Sequence, residues 1–207
     1  MKNVYLDTAE GQKLFRKSQI NFELLRWFTT QINSTYCGVA SSVIALNALG
    51  IKGPSDSSYN GECVFTQENL FSSAFGTLLK KEKVLKAGMG LEELGAALGA
   101  LAKVSVQFAL KEEKNDFDAL LREALLNFED RVVIVNYGRP KVGQVGGGHH
   151  SPVLAYNEKE QKLLLYDVAS FRYPPLWIDV SEVFEICSRS EEDGGARGFV
   201  VIFSESL

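Results

Sequence analysis

The sequence predicts an α+β fold, because helix-type patterning fills its first half and strand-type patterning fills its second. Two observations carry the prediction. Gly38 to Leu49 is apolar on nearly every face, as in a buried central helix, whereas Val104, Val106, Phe108 and Leu110 alternate as a strand does. Elements segregated in this way argue against a doubly wound parallel sheet.

Taken in order, Asp7 to Glu10 reads as a capping box that opens a helix through about Asn21. The apolar helix from Gly38 follows, and Gly50 can close it in a left-handed conformation. Lys52 to Glu62, rich in Gly, Pro, Ser and Asp, reads as a surface loop. Thr66 is placed to cap a helix over Glu68 to Leu79, and two more helices are expected at Gly90 to Ala102 and Asp116 to Phe128. Strands follow at Val132 to Tyr137, Val153 to Tyr156, Leu163 to Tyr166 and Phe199 to Phe203, interrupted by a short amphipathic helix at Val183 to Cys187. A single domain over 1–207 is expected, with a helical lobe at about 1–103 and a sheet lobe at about 104–207.

A 207-residue domain buries about 70% of its unfolded surface, so neither disulfide nor structural metal is required. The net charge of −4 argues against nucleic-acid and anionic-membrane partners and favours a small-molecule substrate. Cys37, Cys63 and Cys187 have no paired spacing, so neither a disulfide framework nor a zinc cluster is indicated, and the last two are expected to be inert. No apolar run is long enough to cross a bilayer, and Met1 to Glu10 has no signal-type core. As it stands the chain is expected in the cytoplasm. A precursor from which a signal has been removed stays open.

The chemistry concentrates in a few residues. Cys37 stands at the mouth of the apolar helix, where unpaired N–H groups and the helix dipole stabilise a thiolate. Taken alone, a cysteine there is as consistent with packing. The two histidines of the chain are adjacent, in Gly146-Gly147-Gly148-His149-His150-Ser151-Pro152 at a strand entrance. Neighbours on an extended strand face opposite sides, so only one imidazole is expected in a given cleft, and joint chelation of a metal is disfavoured. Asp167 ends the strand from Lys162, and a turn near Asn157 to Gln161 would return it beside His149 as an orienting carboxylate; alternatively it is a turn residue. Gln31 lies six residues before Cys37 and would supply an oxyanion donor with the Cys37 N–H. The order Cys, His, Asp, with a helix-borne nucleophile and a sheet-borne base, is the papain-like arrangement.

At these residues the chain resembles the phytochelatin synthase family, itself papain-like. The matching stretches are Thr30 to Ala40, Leu46 to Gly50, Val64 to Asn69, Gly88 to Leu94, Gly148-His149-x-Ser151-Pro152, Asp167-Val168-Ala169, Tyr173-Pro174-Pro175-x-Trp177 and Arg197-Gly198-Phe199. The resemblance implies that Cys37 attacks the Cys–Gly bond of glutathione, releasing glycine and leaving a γ-glutamylcysteinyl thioester. His149 would be general acid and base, Asp167 its orienter and Gln31 the oxyanion donor. Transfer to a second glutathione or phytochelatin gives a longer metal-binding peptide; transfer to water gives γ-glutamylcysteine.

Two carboxylates on glutathione call for arginines, and the matching positions are Arg139 and Arg197, each alternatively a solvated charge. Gly148 and Tyr173 complete the implied substrate-binding set. The resemblance implies no fixed cofactor, with cadmium or zinc activating by forming a metal–thiolate substrate, and it leaves a homodimer open. Ser170 stands where plant-type members carry arginine, and no cysteine-rich C-terminal extension is seen, so hydrolysis is expected over polymer synthesis. The alternatives are a papain-like peptidase acting on a leader peptide and, in another class, a non-catalytic thiol or metal-binding module.

Overall fold

The computed structural model describes residues 3–188 and 196–204; the outermost ends of the expected domain lie outside them. A short strand, β1 (Val4–Tyr5), precedes helix α1 (Ala9–Phe15). Thr8, rather than Asp7, caps this helix, its hydroxyl accepting from the Gly11 N–H at 3.1 Å. The helix ends well before Asn21 because the chain leaves it to form β2 (Gln19–Ile20), which pairs with a central strand. Asn21 instead caps α2 (Phe22–Arg26), accepting from Leu24 N–H at 3.2 Å.

The apolar segment forms α3 (Cys37–Ala48), in which Gly38 through Asn47 are all buried. A helix apolar all round has to be enclosed on every side. Gly50 closes it at φ +69°, a conformation that costs glycine nothing, with its N–H on Asn47 O and that of Ile51 on Leu46 O. The predicted surface loop after it contains a small hairpin of β3 (Ser55–Asp56) and β4 (Glu62–Cys63).

The continuous helix expected over Glu68 to Leu79 is not formed. Thr66 does cap a first turn, exchanging hydrogen bonds with Asn69 through each other's backbone N–H groups at 2.8 and 3.1 Å, but the chain turns extended at Ser73 (φ −91°, ψ −175°) and the helix stops there. The stretch holds a 3-10 turn at Leu70–Ser72 and then α4 (Phe75–Leu78). Next come α5 (Lys81–Ala87), α6 (Leu91–Gly99), β5 (Val104–Phe108), α7 (Lys114–Leu125), β6 (Arg131–Gly138), β7 (Gly148–Asn157) and β8 (Lys162–Leu165). The chain continues with β9 (Leu176–Asp179), α8 (Val180–Cys187) and β10 (Gly198–Phe203).

The mixed α+β architecture is thus built on one antiparallel sheet in the order β1-β9-β8-β7-β6-β10-β5, with β2 also on β7. Strand β7 organises it. Its first half pairs with β6 through Gly148 to Pro152 and its second half with β8, with a register shift between Val153 and Ala155. Period-two alternation then divides the core. Val132, Ile134 and Leu154 face the layer containing α3 and α6, whereas Val133, Val135, Tyr137 and Val153 face α7 and α8. Among the described residues, no helix is long and apolar enough to cross a membrane.

Ile44 is fully buried in the α3 layer, whereas Leu78 is 61% exposed. Ile44→Ala should therefore lower unfolding free energy in urea by about 2–5 kcal/mol, while Leu78→Ala stays within about 0.5 kcal/mol. Equal losses would contradict this placement of the core.

Candidate active site

The chain approaches α3 through a turn fixed by Asn33, whose Oδ1 accepts from the Thr35 N–H at 3.0 Å and from the Thr35 hydroxyl at 2.9 Å. The N-cap residue is Tyr36, and no side chain caps this terminus. The leading N–H groups and the positive end of the helix dipole are therefore left facing the half-buried Cys37 thiol.

Strand β7 crosses beneath this helix and brings both histidines to the thiol. His149 Nε2 lies 2.7 Å from Asp167 Oδ1. That leaves Nδ1 as the ring nitrogen free for the Cys37 thiol, with which the imidazole is electrostatically coupled. The Tyr137 ring stands edge-on to the imidazole at 5.7 Å between centroids. The expectation that only one imidazole enters the cleft is overturned, because His150 Nδ1 lies 3.7 Å from Cys37 Sγ. Strand alternation fixes where the Cβ atoms point. Two rings hinged on opposite sides of one strand end can still converge on a thiol set at that end.

Asp167 follows β8 and is 2% exposed. Besides His149, it accepts the Ala169 N–H at 2.8 Å and both terminal nitrogens of Arg139, at 2.9 and 3.0 Å. Arg139 is itself buried, follows β6 directly, and donates to Gln144 Oε1. Its guanidinium lies 4.9 Å from the centroid of the Tyr173 ring, whose hydroxyl accepts the Val145 N–H at 2.9 Å. A fork that matches the carboxylate in this way fixes its plane as well as its charge.

These contacts set the ionisation of the triad. Burial pushes the Asp167 carboxyl up, but hydrogen bonds and charge from His149 and Arg139 outweigh it and hold the group at about 2. Burial likewise opposes the Cys37 thiolate, yet hydrogen bonds and charge from His149 and His150 bring the thiol well below the usual cysteine range. Burial alone would lower His149, but Asp167 and Cys37 raise it. Both shifts favour the thiolate–imidazolium form of the Cys37–His149 pair over the neutral one. Cys187, buried among apolar groups, is pushed far up and stays a thiol.

The remaining predicted residues fall into two groups. Gly148 and Arg197 line a cavity of about 240 Å³ with Cys37, Asn136, His150 and the Gly88–Gly90 turn. At Gly148 a side chain would press on the Arg197 guanidinium, 3.2 Å from its Cβ position. Arg139 and Tyr173, expected against substrate, are instead directed at Asp167 and at the loop after Arg139. Gln31 is buried; its Nε2 donates to Asn33 O at 2.6 Å, which uses one of its two amide hydrogens. Ser170 shares a 2.5 Å hydrogen bond with Thr30. Sequence reasoning missed the Arg139–Asp167 clamp, Asn136 and the approach of His150. A larger groove of about 1130 Å³ opens at the far end of α3, around Leu49 and Phe203, and holds none of these groups.

The family model for phytochelatin synthase matches residues 1–199 of the chain. Curated relatives include glutathione gamma-glutamylcysteinyltransferase 1 of Arabidopsis thaliana, 29% identical over 202 residues, covering 94% of this chain and 40% of that protein. The Lotus japonicus protein of the same name is 29% identical over 203 residues, covering 94% and 39%. The glutathione gamma-glutamylcysteinyltransferase of Schizosaccharomyces pombe is 24% identical over 205 residues, covering 95% and 48%. The chain spans about two fifths to one half of the length of these relatives.

Two results are expected from this geometry. Iodoacetamide should alkylate Cys37 across neutral pH and slow only in acid, and His149→Ala should move that acid limb upward; titration of the native thiol near 8.5 would contradict the ion pair. Arg139→Gln leaves the buried carboxylate half-compensated and should cost about 3–5 kcal/mol of unfolding free energy at pH 7. Because the folded Asp167 sits at about 2, below its unfolded value, its contribution is lost as pH falls. The gap between native protein and variant should accordingly narrow from pH 5 towards pH 2, and a gap independent of pH would count against the clamp.

Proposed function

The chain belongs to the phytochelatin synthase family, and we propose that it is a thiol acyl-transfer enzyme that removes glycine from glutathione through a γ-glutamylcysteinyl thioester on Cys37. The observation that carries this reading is the Cys37 thiol set at the N-terminus of α3 against the histidines of β7, with His149 Nε2 held 2.7 Å from the buried Asp167 carboxylate. Its helix-borne nucleophile and sheet-borne base support a papain-like single-domain catalyst.

In the proposed reaction the Sγ electron pair attacks the carbonyl carbon of the Cys–Gly bond. The developing oxyanion is received by the leading N–H groups of α3 and by the second amide hydrogen of Gln31. As the C–N bond breaks, His149 gives its proton to the departing glycine nitrogen. The neutral imidazole then takes a proton from the incoming nucleophile, and the thiolate leaves. Asp167, held ionised by Arg139, keeps the ring aimed throughout. Arg197 and Gly148 line the cavity in which the γ-glutamyl group is received.

Water is the favoured acceptor in this reading, because Ser170 supplies no cation beside the cleft and is engaged with Thr30. Cadmium or zinc would enter as the thiolate complex of the substrate. The leader-peptide alternative gains no support from the relatives, which are all glutathione gamma-glutamylcysteinyltransferases by name.

Mass spectrometry of products after incubation with millimolar glutathione, with and without cadmium, tests the reading. Glycine and γ-glutamylcysteine should accumulate, and Cys37→Ala should lower the rate by more than about 10⁴-fold with the fold intact. A predominance of (γ-Glu-Cys)2-Gly would replace water by peptide as the acceptor. Unchanged glutathione in both conditions would overturn the proposal.

A further inference from the structure

His150 carries a feature that the proposed mechanism leaves unused. It is 1% exposed, and its Nε2 is buried without a hydrogen-bond partner among the described residues. Its Nδ1 has two neighbours, Cys37 Sγ at 3.7 Å and Asn136 Nδ2 at 3.4 Å. The strand itself is pinned from above, because the Ser41 hydroxyl of α3 donates to His150 O at 3.2 Å. The imidazole is therefore tied to the same helix that carries the nucleophile.

The position of the ring proton follows from what each arrangement would leave unsatisfied. With the proton on Nε2, a buried N–H would have no acceptor, and orphaned donors of that kind are rare and costly. With the proton on Nδ1, the N–H points at a thiolate, and only a lone pair on Nε2 is left without a partner. The Asn136 amide does not require Nδ1 as an acceptor, since it also lies 3.3 Å from the carbonyl oxygen of His149. Hydrogen bonds to a charged acceptor are the stronger kind. Both considerations put the proton on Nδ1.

We propose that His150 is a second hydrogen-bond donor to the Cys37 thiolate, additional to the His149–Asp167 pair. This rests on Cys37 being the nucleophile of the proposed reaction. The two imidazoles then have different duties. His149 gives its proton to the leaving group and takes one back, so during that interval it cannot stabilise the sulfur. His150 transfers nothing, and it keeps a donor on the sulfur when the thiolate is expelled at deacylation.

The test follows alkylation of Cys37 by iodoacetamide against pH, read on the peptide that carries it, in the native protein, His150→Phe and His150→Asn. No glutathione is involved, so the outcome is separable from failure of the glutathione reading. The asparagine amide nitrogen can occupy the place of Nδ1 and keep one N–H donor, whereas phenylalanine fills the space without one. His150→Phe should move the acid limb up by about one pH unit, a roughly tenfold loss of rate on that limb, and His150→Asn should restore it to within about threefold. A native profile for His150→Phe, or an equal displacement in both variants, would overturn the proposal.

An arm on the unmutated chain covers the case in which neither variant folds. The protein has only two histidines, so ¹⁵N-histidine labelling gives two rings. Methylthiolation of Cys37 should shift the nitrogen signals of both, and a response from one ring alone would overturn the proposal.

Discussion

The carboxylate of Asp167 is the group on which the site depends. It is buried to 2% exposure, and an ionised carboxylate at that depth persists only where donors and charge replace the water it has lost. The replacement comes from three elements. The end of β6 delivers Arg139, the start of β7 delivers His149, and the turn after β8 delivers the Ala169 N–H. Break any one of these and a charge or a donor is left unpaired in the interior. The same contacts fix the plane of the carboxylate, the plane of the imidazole and the ring nitrogen that faces the thiol.

From that anchor the rest of the geometry follows. Strands β6, β7 and β8 are consecutive neighbours in the sheet, so the register that seals their apolar faces also sets the spacing of Arg139, His149 and Asp167. Helix α3 is apolar all round and has to be enclosed, and lying across β7 places its uncapped first turn over the strand entrance. Hydrophobic burial thus performs the positioning, while electrostatics decides the protonation states. The Tyr173 ring and hydroxyl close the arrangement from outside by covering Arg139 and holding the backbone at Val145.

Much of this was legible in the sequence, and the reasons differ from element to element. The α3 segment announced itself by an unbroken apolar run closed by Gly50, and the strands by alternation or by β-branched runs. Cys37, His149 and Asp167 could be singled out because each sits at the end of a strongly patterned element. The helix expected over Glu68 to Leu79 is capped at Thr66 as the pattern suggests, but it is cut at Ser73, where the chain turns extended, a break that a capping pattern does not exclude. Strand β9 was passed over because four residues after two prolines carry little periodic signal.

The role of Arg139 was hidden for a deeper reason. An arginine after a strand looks the same whether it faces solvent, substrate or a buried acid, and only the register of three strands decides. A clue was present all the same, since an aspartate expected to stay ionised beside a buried imidazole needs a cation, and few arginines lie near strand ends. The convergence of both histidines was missed because strand alternation was applied to whole side chains, although it constrains only their Cβ directions.

The central claim is that Cys37 is a thiolate nucleophile whose acylation is assisted by the His149–Asp167–Arg139 series. Intact-protein and peptide mass spectrometry on protein quenched in acid during reaction with glutathione tests it most directly. The account predicts a γ-glutamylcysteinyl adduct on the peptide containing Cys37, absent from Cys37→Ala and strongly reduced in His149→Ala. An adduct on Cys63 or Cys187, or turnover of glutathione with Cys37 unmodified and dispensable, would contradict it.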